Sequence, residues 1–160
     1  MILFNKGLYS LESRYPALLK RFTKGENMVI DRDTAMKLWR FIYGEQLFAL
    51  DCFGTYICRE DYGDHEKKRI RPNGDGRPHV YGWDIDHIRP KSSFKDENDA
   101  NFMNNLEPLH FSNNQEKSDD YPSFVVSKEK YRVVVDYNGG YGIVNSAGQR
   151  IDWKKNGKHY

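Results

Sequence analysis

Two neighbouring residues near the middle of the chain, Asp86 and His87, have side chains suited to metal-assisted hydrolysis. A carboxylate is a hard oxygen ligand for a divalent cation, and an imidazole that titrates near neutral pH can take a proton from water. Adjacent side chains on a regular strand point to opposite faces, so both can serve one site only where the strand ends or bends. Pro90, three residues after His87, favours such an ending.

Two asparagines further along extend this pattern. Asn114 could provide a second oxygen ligand through its side-chain carbonyl, and a carboxylate with an amide favours Mg²⁺ or Mn²⁺ over Zn²⁺. Taken alone, Asn114 is more typical of a helix cap or a surface position than of a metal ligand. Asn105 precedes a short apolar stretch and is typical of a turn residue bonded to its own backbone. A residue that locks a loop in this way could also hold His87 in place.

The order and spacing of these residues resemble the HNH nuclease family. Asn105 follows His87 by 18 residues, Asn114 follows Asn105 by 9, and Lys117 comes three residues later. The similarity covers roughly residues 83–121, about a quarter of the chain. Because the third signature position holds Asn114 and not histidine, the sequence is similar to phage homing nickases, to the HNH domain of RNA-guided CRISPR nucleases, and to small stand-alone bacterial and phage HNH proteins. Residues 92–99 lack the glycines that many of these relatives carry.

The resemblance implies an α+β chain around a ββα-metal core, in which two short antiparallel strands and a helix clasp one divalent ion. His87 would be the general base, Asp86 and Asn114 would hold Mg²⁺ or Mn²⁺, and Asn105 would brace the loop and orient His87. The implied reaction is single-metal hydrolysis of DNA to a 5′-phosphate and a 3′-hydroxyl, by nicking and with low sequence specificity. Because His87 must be neutral to act as a base, we expect activity to fall below about pH 6.5.

Four further residues flank the implied site. His110 could be a third ligand or contact the scissile phosphate, and as a ligand it would favour Zn²⁺ or Ni²⁺; alternatively it is a hydrogen-bonded structural histidine. Arg89, Lys91 and Lys117 could each contact a DNA phosphate, although single cations are also typical of a solvated surface.

The elements that must position these residues follow from periodicity and turn signals. An apolar face after Asp31 or Asp33 predicts a helix with apolar positions as far as residue 50, interrupted at Gly44, and residues 48–60 predict a hairpin around Phe53-Gly54. Downstream, the pattern predicts a polar loop over 61–78, a strand over 79–88, a loop to about 104, a strand over 106–109, a helix from an N-cap at Ser112 to about 118, and a hairpin of 131–135 with 141–144 around residues 138–140.

This pattern divides the chain into four parts. They are an N-terminal helical segment and hairpin (1–60), the polar loop (61–78), the HNH core (79–121), and a C-terminal hairpin extension with a basic tail (122–160). A unit of two strands and a helix is small, so the flanking parts are expected to supply burial that it lacks. The C-terminal part could do this or extend a DNA-binding surface.

Composition excludes several other classes of protein. The 160 residues include 14% aromatics, too many for a disordered chain, and two cysteines, too few for a disulfide scaffold or a four-cysteine zinc site. The net charge is only +2, but residues 66–91 and 150–159 are locally basic, which suits either a polyanion or a solvated surface. No apolar run is long enough for a membrane span or signal peptide, so we expect a cytoplasmic protein without a membrane partner.

The leading hypothesis is therefore a metal-dependent endonuclease acting on double-stranded DNA, as a monomer or a homodimer. One alternative is a catalytically weak nucleic-acid-binding module. Another is a nuclease or toxin that cleaves RNA with the same site.

Overall fold

The computed structural model describes residues 28–137 and 139–160. The first 27 residues of the expected N-terminal part lie outside this range. The described chain is mixed α+β, with small antiparallel sheets. Its helices are α1 (Arg32–Tyr43) and α2 (Phe111–Lys117), and its strands are β1 (Phe48–Leu50), β2 (Tyr56–Cys58), β3 (Lys68–Ile70), β4 (Pro78–Val80), β5 (Trp83–His87), β6 (Leu106–His110), β7 (Ser123–Val126), β8 (Glu129–Val135) and β9 (Tyr141–Asn145).

Helix α1 begins and ends where its capping residues predict. Asp31 is the N-cap, and its Oδ1 accepts a hydrogen bond of 2.9 Å from the Thr34 amide. Gly44 ends the helix with φ +64°, a conformation that glycine adopts without the steric cost of a Cβ. The apolar positions at 48 and 50 therefore do not extend the helix; they belong to β1, which pairs with β2 in the predicted hairpin.

The expectation of a polar loop over 61–78 is wrong in part. Residues 68–70 form β3, which pairs with β4 as a second hairpin. The strand expected over 79–88 is correspondingly divided into β4 and β5. Gly82 lies between them, where a Cβ would overlap the carbonyl oxygen of Asp64, so the close backbone approach requires glycine.

Strands β5 and β6 form an antiparallel pair in which Trp83 lies opposite His110 and His87 opposite Leu106. Helix α2 follows β6 directly and packs against both strands. The helix begins two residues earlier than expected, because His110 and not Ser112 is its N-cap. The Asp51 carboxylate fastens the first hairpin to this unit, accepting hydrogen bonds from the His110 amide (3.0 Å) and the Asn113 side chain (2.8 Å).

The C-terminal part is a three-stranded sheet in the order β7-β8-β9, so the expected hairpin gains a strand that its short alternating pattern had not revealed. Asn138, in the expected turn, lies outside the described residues. Two apolar clusters form the core: one joins α1 to β5 and β6, and the other joins Ile88 to the C-terminal sheet. Within the described residues, no helix has the length and apolar character needed to span a membrane.

Candidate functional site

The C-terminal end of β5 opens into a cavity of about 380 Å³. Asp86, His87 and Asn114 all line it, with Lys91 and Asp119 at the same cavity. The two adjacent residues of β5 can share the cavity because the strand ends at His87. Tertiary structure thus brings together three of the residues singled out from the sequence, 28 positions apart at the extremes.

Asp86 is buried and faces α2. The Lys117 Nζ lies 3.3 Å from Asp86 Oδ1 and 3.1 Å from Oδ2, but only Oδ1 has hydrogen-bonding geometry, so Oδ2 accepts no hydrogen bond from the described residues. Burial raises the pKa of Asp86 to about 6, although the positive charge of Lys117 opposes the shift. The site therefore holds a carboxylate whose charge is only partly compensated.

Lys117 does not lie on the surface, as its predicted role in DNA binding requires. Its side chain is fully buried, and its Nζ also donates to the His87 carbonyl oxygen at 3.1 Å. We correct that assignment: Lys117 connects the last turn of α2 to the end of β5. The sequence could not reveal this, because helical spacing alone does not show which face a short helix buries.

His87 is half-buried and is held by a residue that the sequence analysis missed. Its Nε2 lies 2.7 Å from the Asn101 Oδ1, which can only accept, so Nε2 carries the proton and Nδ1 keeps its lone pair. Burial lowers the pKa of His87, and nearby Lys91 and Lys117 lower it further, whereas the Asn101 hydrogen bond opposes them. The imidazole is therefore neutral near pH 7. No sequence signal marked Asn101, because the loop that carries it has no regular period.

Asn105 is fully buried and clamps that loop, as its sequence context suggested. Its Oδ1 accepts from the Arg89 amide at 2.9 Å, and its Nδ2 donates to the carbonyl oxygens of Arg89 (3.1 Å) and Ala100 (3.0 Å). Asn105 thus binds the backbone at Arg89, two residues after His87, and at Ala100, directly before Asn101. Asn105 does not touch His87; it positions the two segments that hold it.

His110 lies at the opposite end of the β5–β6 pair, outside the cavity. Its Nε2 lies 2.9 Å from the Val80 carbonyl oxygen, and its Nδ1 accepts from the Ser112 amide at 3.2 Å. Both ring nitrogens are thus occupied in capping α2 and in joining β4 to it. The geometry supports the structural alternative for His110 and opposes a role as a ligand, and with it the reason to expect Zn²⁺ or Ni²⁺.

Arg89 and Lys91 differ in their availability to a phosphate. The Arg89 guanidinium donates to Ser93 and to the Tyr141 hydroxyl, and it lies over the ring of Phe94 at 4.2 Å. Through these contacts Arg89 connects the loop after β5 to the C-terminal sheet, which differs from its predicted contact with a DNA phosphate. Lys91 is exposed at the cavity, where a bound phosphate oxygen would meet it.

The donor set fits a hard divalent cation that completes its coordination with other oxygens. No group of three or more His, Cys, Asp or Glu residues able to hold a metal occurs in residues 28–137 and 139–160. One buried carboxylate oxygen without a hydrogen-bond donor and one amide at the same cavity are, however, what Mg²⁺ needs from a protein when waters and a substrate phosphate supply the rest.

Comparisons of this chain with protein-family models, with curated proteins and with solved structures found no match.

Proposed function

We propose that this protein is a metal-dependent endonuclease of the HNH type that hydrolyses phosphodiester bonds in DNA. The observation that carries the proposal is the convergence of Asp86, His87 and Asn114 on one cavity at the end of β5. A base, a hard carboxylate and an amide oxygen in one place match the chemical needs of metal-assisted hydrolysis. The resemblance of their spacing to the HNH signature supports the same function.

Asp86 and Asn114 would hold the Mg²⁺ or Mn²⁺ ion, through the Asp86 Oδ2 and the Asn114 carbonyl oxygen. When bound, such an ion offsets the charge that builds up on the phosphate and on the leaving oxygen. Asp86 must be ionised for this role, and its ion pair with Lys117 favours the ionised form.

His87 would take a proton from the attacking water at Nδ1, the nitrogen that the Asn101 hydrogen bond leaves free. The lowered pKa of His87 keeps the imidazole neutral at physiological pH, as a base requires. Asn101 and Asn105 are positioning residues, since both act through His87 or its loop. Lys91 would bind a phosphate oxygen beside the scissile bond. One such site per chain cuts one strand in each encounter, which favours nicking.

A second candidate function rests on the Lys117–Asp86 pair. A buried ammonium within 3.3 Å of both carboxylate oxygens already compensates part of the charge that a cation would neutralise. This observation favours a module that binds nucleic acid without cleaving it. The endonuclease requires that a divalent ion bind Asp86 in spite of the Lys117 ammonium, whereas the binding module requires no ion there.

Cleavage of supercoiled plasmid by the purified chain with Mg²⁺, Mn²⁺ or EDTA tests the proposal. We expect metal-dependent conversion to the nicked form, lost in His87→Ala and retained in His159→Ala, a histidine outside the cavity. Cleavage by His87→Ala would overturn the assignment of the base. A gel shift without cleavage would favour the binding module, and cleavage confined to RNA would change the substrate class.

A further inference from the structure

The hairpin formed by β3 and β4 differs from the rest of the fold because both of its faces are largely exposed. Lys68, Ile70, Pro78 and His79 are exposed, and the Ile70 side chain retains 62% of its surface in solvent. In the part of the chain that the structure describes, no other helix or strand packs extensively against either strand. Two-stranded hairpins are marginally stable without such packing. We call residues 66–79, which contain most of this hairpin, the arm.

Two arginines attach the arm to the rest of the fold, and three other cations of the arm stay exposed. Arg69 makes a bidentate contact with the buried Asp61, with Nε–Oδ2 2.8 Å and Nη2–Oδ1 2.8 Å. Arg71 lies over the ring of Tyr56 at 3.6 Å. Lys67, Lys68 and Arg77 are exposed, and no acidic side chain of the described residues lies within ion-pairing distance of them.

The arm carries a larger net positive charge than the whole chain. Residues 66–79 carry five Lys or Arg side chains against two carboxylates, a net +3, whereas the whole chain has a net charge of +2. The remainder of the chain is thus slightly acidic. An exposed ribbon with this net positive charge is complementary to a polyanion.

The arm is also close to the cavity along the chain. His65, at its root, contacts the Asp84 carboxylate at 2.9 Å and stacks on Phe111, the first residue of α2. Asp84 and His87 are three positions apart in β5, about 10 Å at ~3.3 Å per residue. A duplex bound at the cavity therefore extends within a few base pairs to the root of the arm.

We propose that the arm binds the backbone of double-stranded DNA beside the cleavage site, with Lys68 and Arg77 contacting phosphates across a groove. A two-stranded ribbon fits the major groove of B-DNA, which is about 12 Å wide. The inference rests on the proposed function for its choice of polyanion. It assigns the duplex to a specific element and accounts for the exposure and the charge of the arm together.

Fluorescence anisotropy of a labelled 30-base-pair duplex, measured in EDTA with the full chain carrying His87→Ala, tests the arm without any cleavage. The association constant K is measured over a range of NaCl concentrations. The double substitution Lys68→Ala/Arg77→Ala should reduce the magnitude of the slope of log K against log [NaCl] by about 2, because each lost phosphate contact removes about 0.9. The control is Lys128→Ala/Lys130→Ala, which removes two exposed lysines from β8 and the turn before it. Its slope should stay within a few tenths of the parent value.

Equal slopes for the two double variants would overturn the proposal, as would tighter binding of single-stranded DNA or of RNA than of the duplex. Failure of the proposed function is distinguishable from this result. Suppose that the wild-type chain fails to cleave plasmid while only the arm variant shows a reduced salt slope. In that case the arm binds DNA and the endonuclease assignment fails.

Discussion

At the scale of single residues, the two adjacent site residues of β5 need different charge states. Asp86 must be ionised to hold a cation, yet burial raises its pKa to about 6. His87 must be neutral to accept a proton, and burial lowers its pKa. The same desolvation therefore acts against the first residue and in favour of the second. Lys117 corrects the imbalance for Asp86, and Asn101 selects the tautomer of His87.

These two shifts predict the pH dependence of cleavage. As pH falls through about 6, Asp86 gains a proton and loses its affinity for the cation, and at a pH below the ordinary histidine value of about 6.5, His87 gains one and ceases to be a base. We expect kcat/KM to rise from pH 5 to about 6.5 and then to level off. A profile measured with Mg²⁺ that is flat from pH 5 to 8.5 would contradict both roles.

The Asn101→Ala substitution isolates the positioning of His87. It removes the acceptor at 2.7 Å, so the imidazole can rotate and populate both neutral tautomers. We expect kcat to fall about tenfold, with little change in KM, because the base is misoriented but not lost; a general base contributes about 10²- to 10⁴-fold in all. The ¹⁵N chemical shifts of His87 should report the loss of the single tautomer. Asn98→Ala, at an exposed position of the same loop, should leave rate and shifts unchanged.

At the scale of elements, the site depends on how α2 is fixed to β5. Lys117 donates from the last turn of the helix to the Asp86 carboxylate and to the His87 carbonyl oxygen, so one side chain joins the two elements at the cavity. Asp51 performs the corresponding role at the other end, where it joins the β1–β2 hairpin to the start of α2. The short helix is thus held by hydrogen bonds to a carboxylate at its start and by an ion pair at its end.

The Lys117→Met substitution tests this arrangement and the cation site together. It keeps a long side chain but leaves Asp86 buried without a counter-charge, which should lower the free energy of unfolding by about 3 kcal/mol at pH 7.5. If Asp86 and Asn114 hold Mg²⁺, the ion should restore part of this loss and raise Tm more in the variant than in the parent. Thermal and urea denaturation with Mg²⁺ or EDTA measure both effects.

The Lys155→Met variant, which changes an exposed lysine outside the cavity, serves as the control and should differ little from the parent. A Tm for Lys117→Met that is unaffected by Mg²⁺ would contradict cation binding at Asp86.

At the scale of the whole molecule, the strands and helix around the cavity are buried by the parts that flank them. Trp39 of α1 packs on Trp83 with ring centroids 5.2 Å apart, and Trp153 donates from its Nε1 to the Leu106 carbonyl oxygen at 2.8 Å. Ile88, directly after the site, is buried in the apolar cluster of the C-terminal sheet. The site is therefore supported by apolar residues from the parts of the chain that precede it and that follow it.

This architecture predicts that residues 79–121 do not fold by themselves. The isolated fragment loses the partners of Trp83, Ile88 and Leu106 and exposes apolar surface that it cannot bury internally. We expect the far-UV circular dichroism of an unfolded chain and poorly dispersed ¹H–¹⁵N amide signals, while the complete chain gives dispersed signals. A dispersed spectrum for the fragment would show that the flanking parts are dispensable for the fold.

Local chemistry determined what could be predicted from the sequence alone. Asp31 and Gly44 bound α1 because capping depends on a few adjacent residues, and Asn105 was identified as a loop clamp because a short amide can bond nearby backbone. The grouping of Asp86, His87 and Asn114 was implied by the resemblance of their order and spacing to the HNH signature. Each of these inferences needs only residue type and separation along the chain.

Tertiary structure decided which of the polar side chains face the cavity and which are used to hold it together. Lys117, Arg89 and His110 have charge and spacing like those of ligand-binding residues, but packing places all three in contacts with other elements, 30 to 52 residues away along the chain. Asn101 reaches His87 only because the loop folds back over β5. Burial and long-range contact set these roles, and neither is a property of neighbouring residues in the sequence.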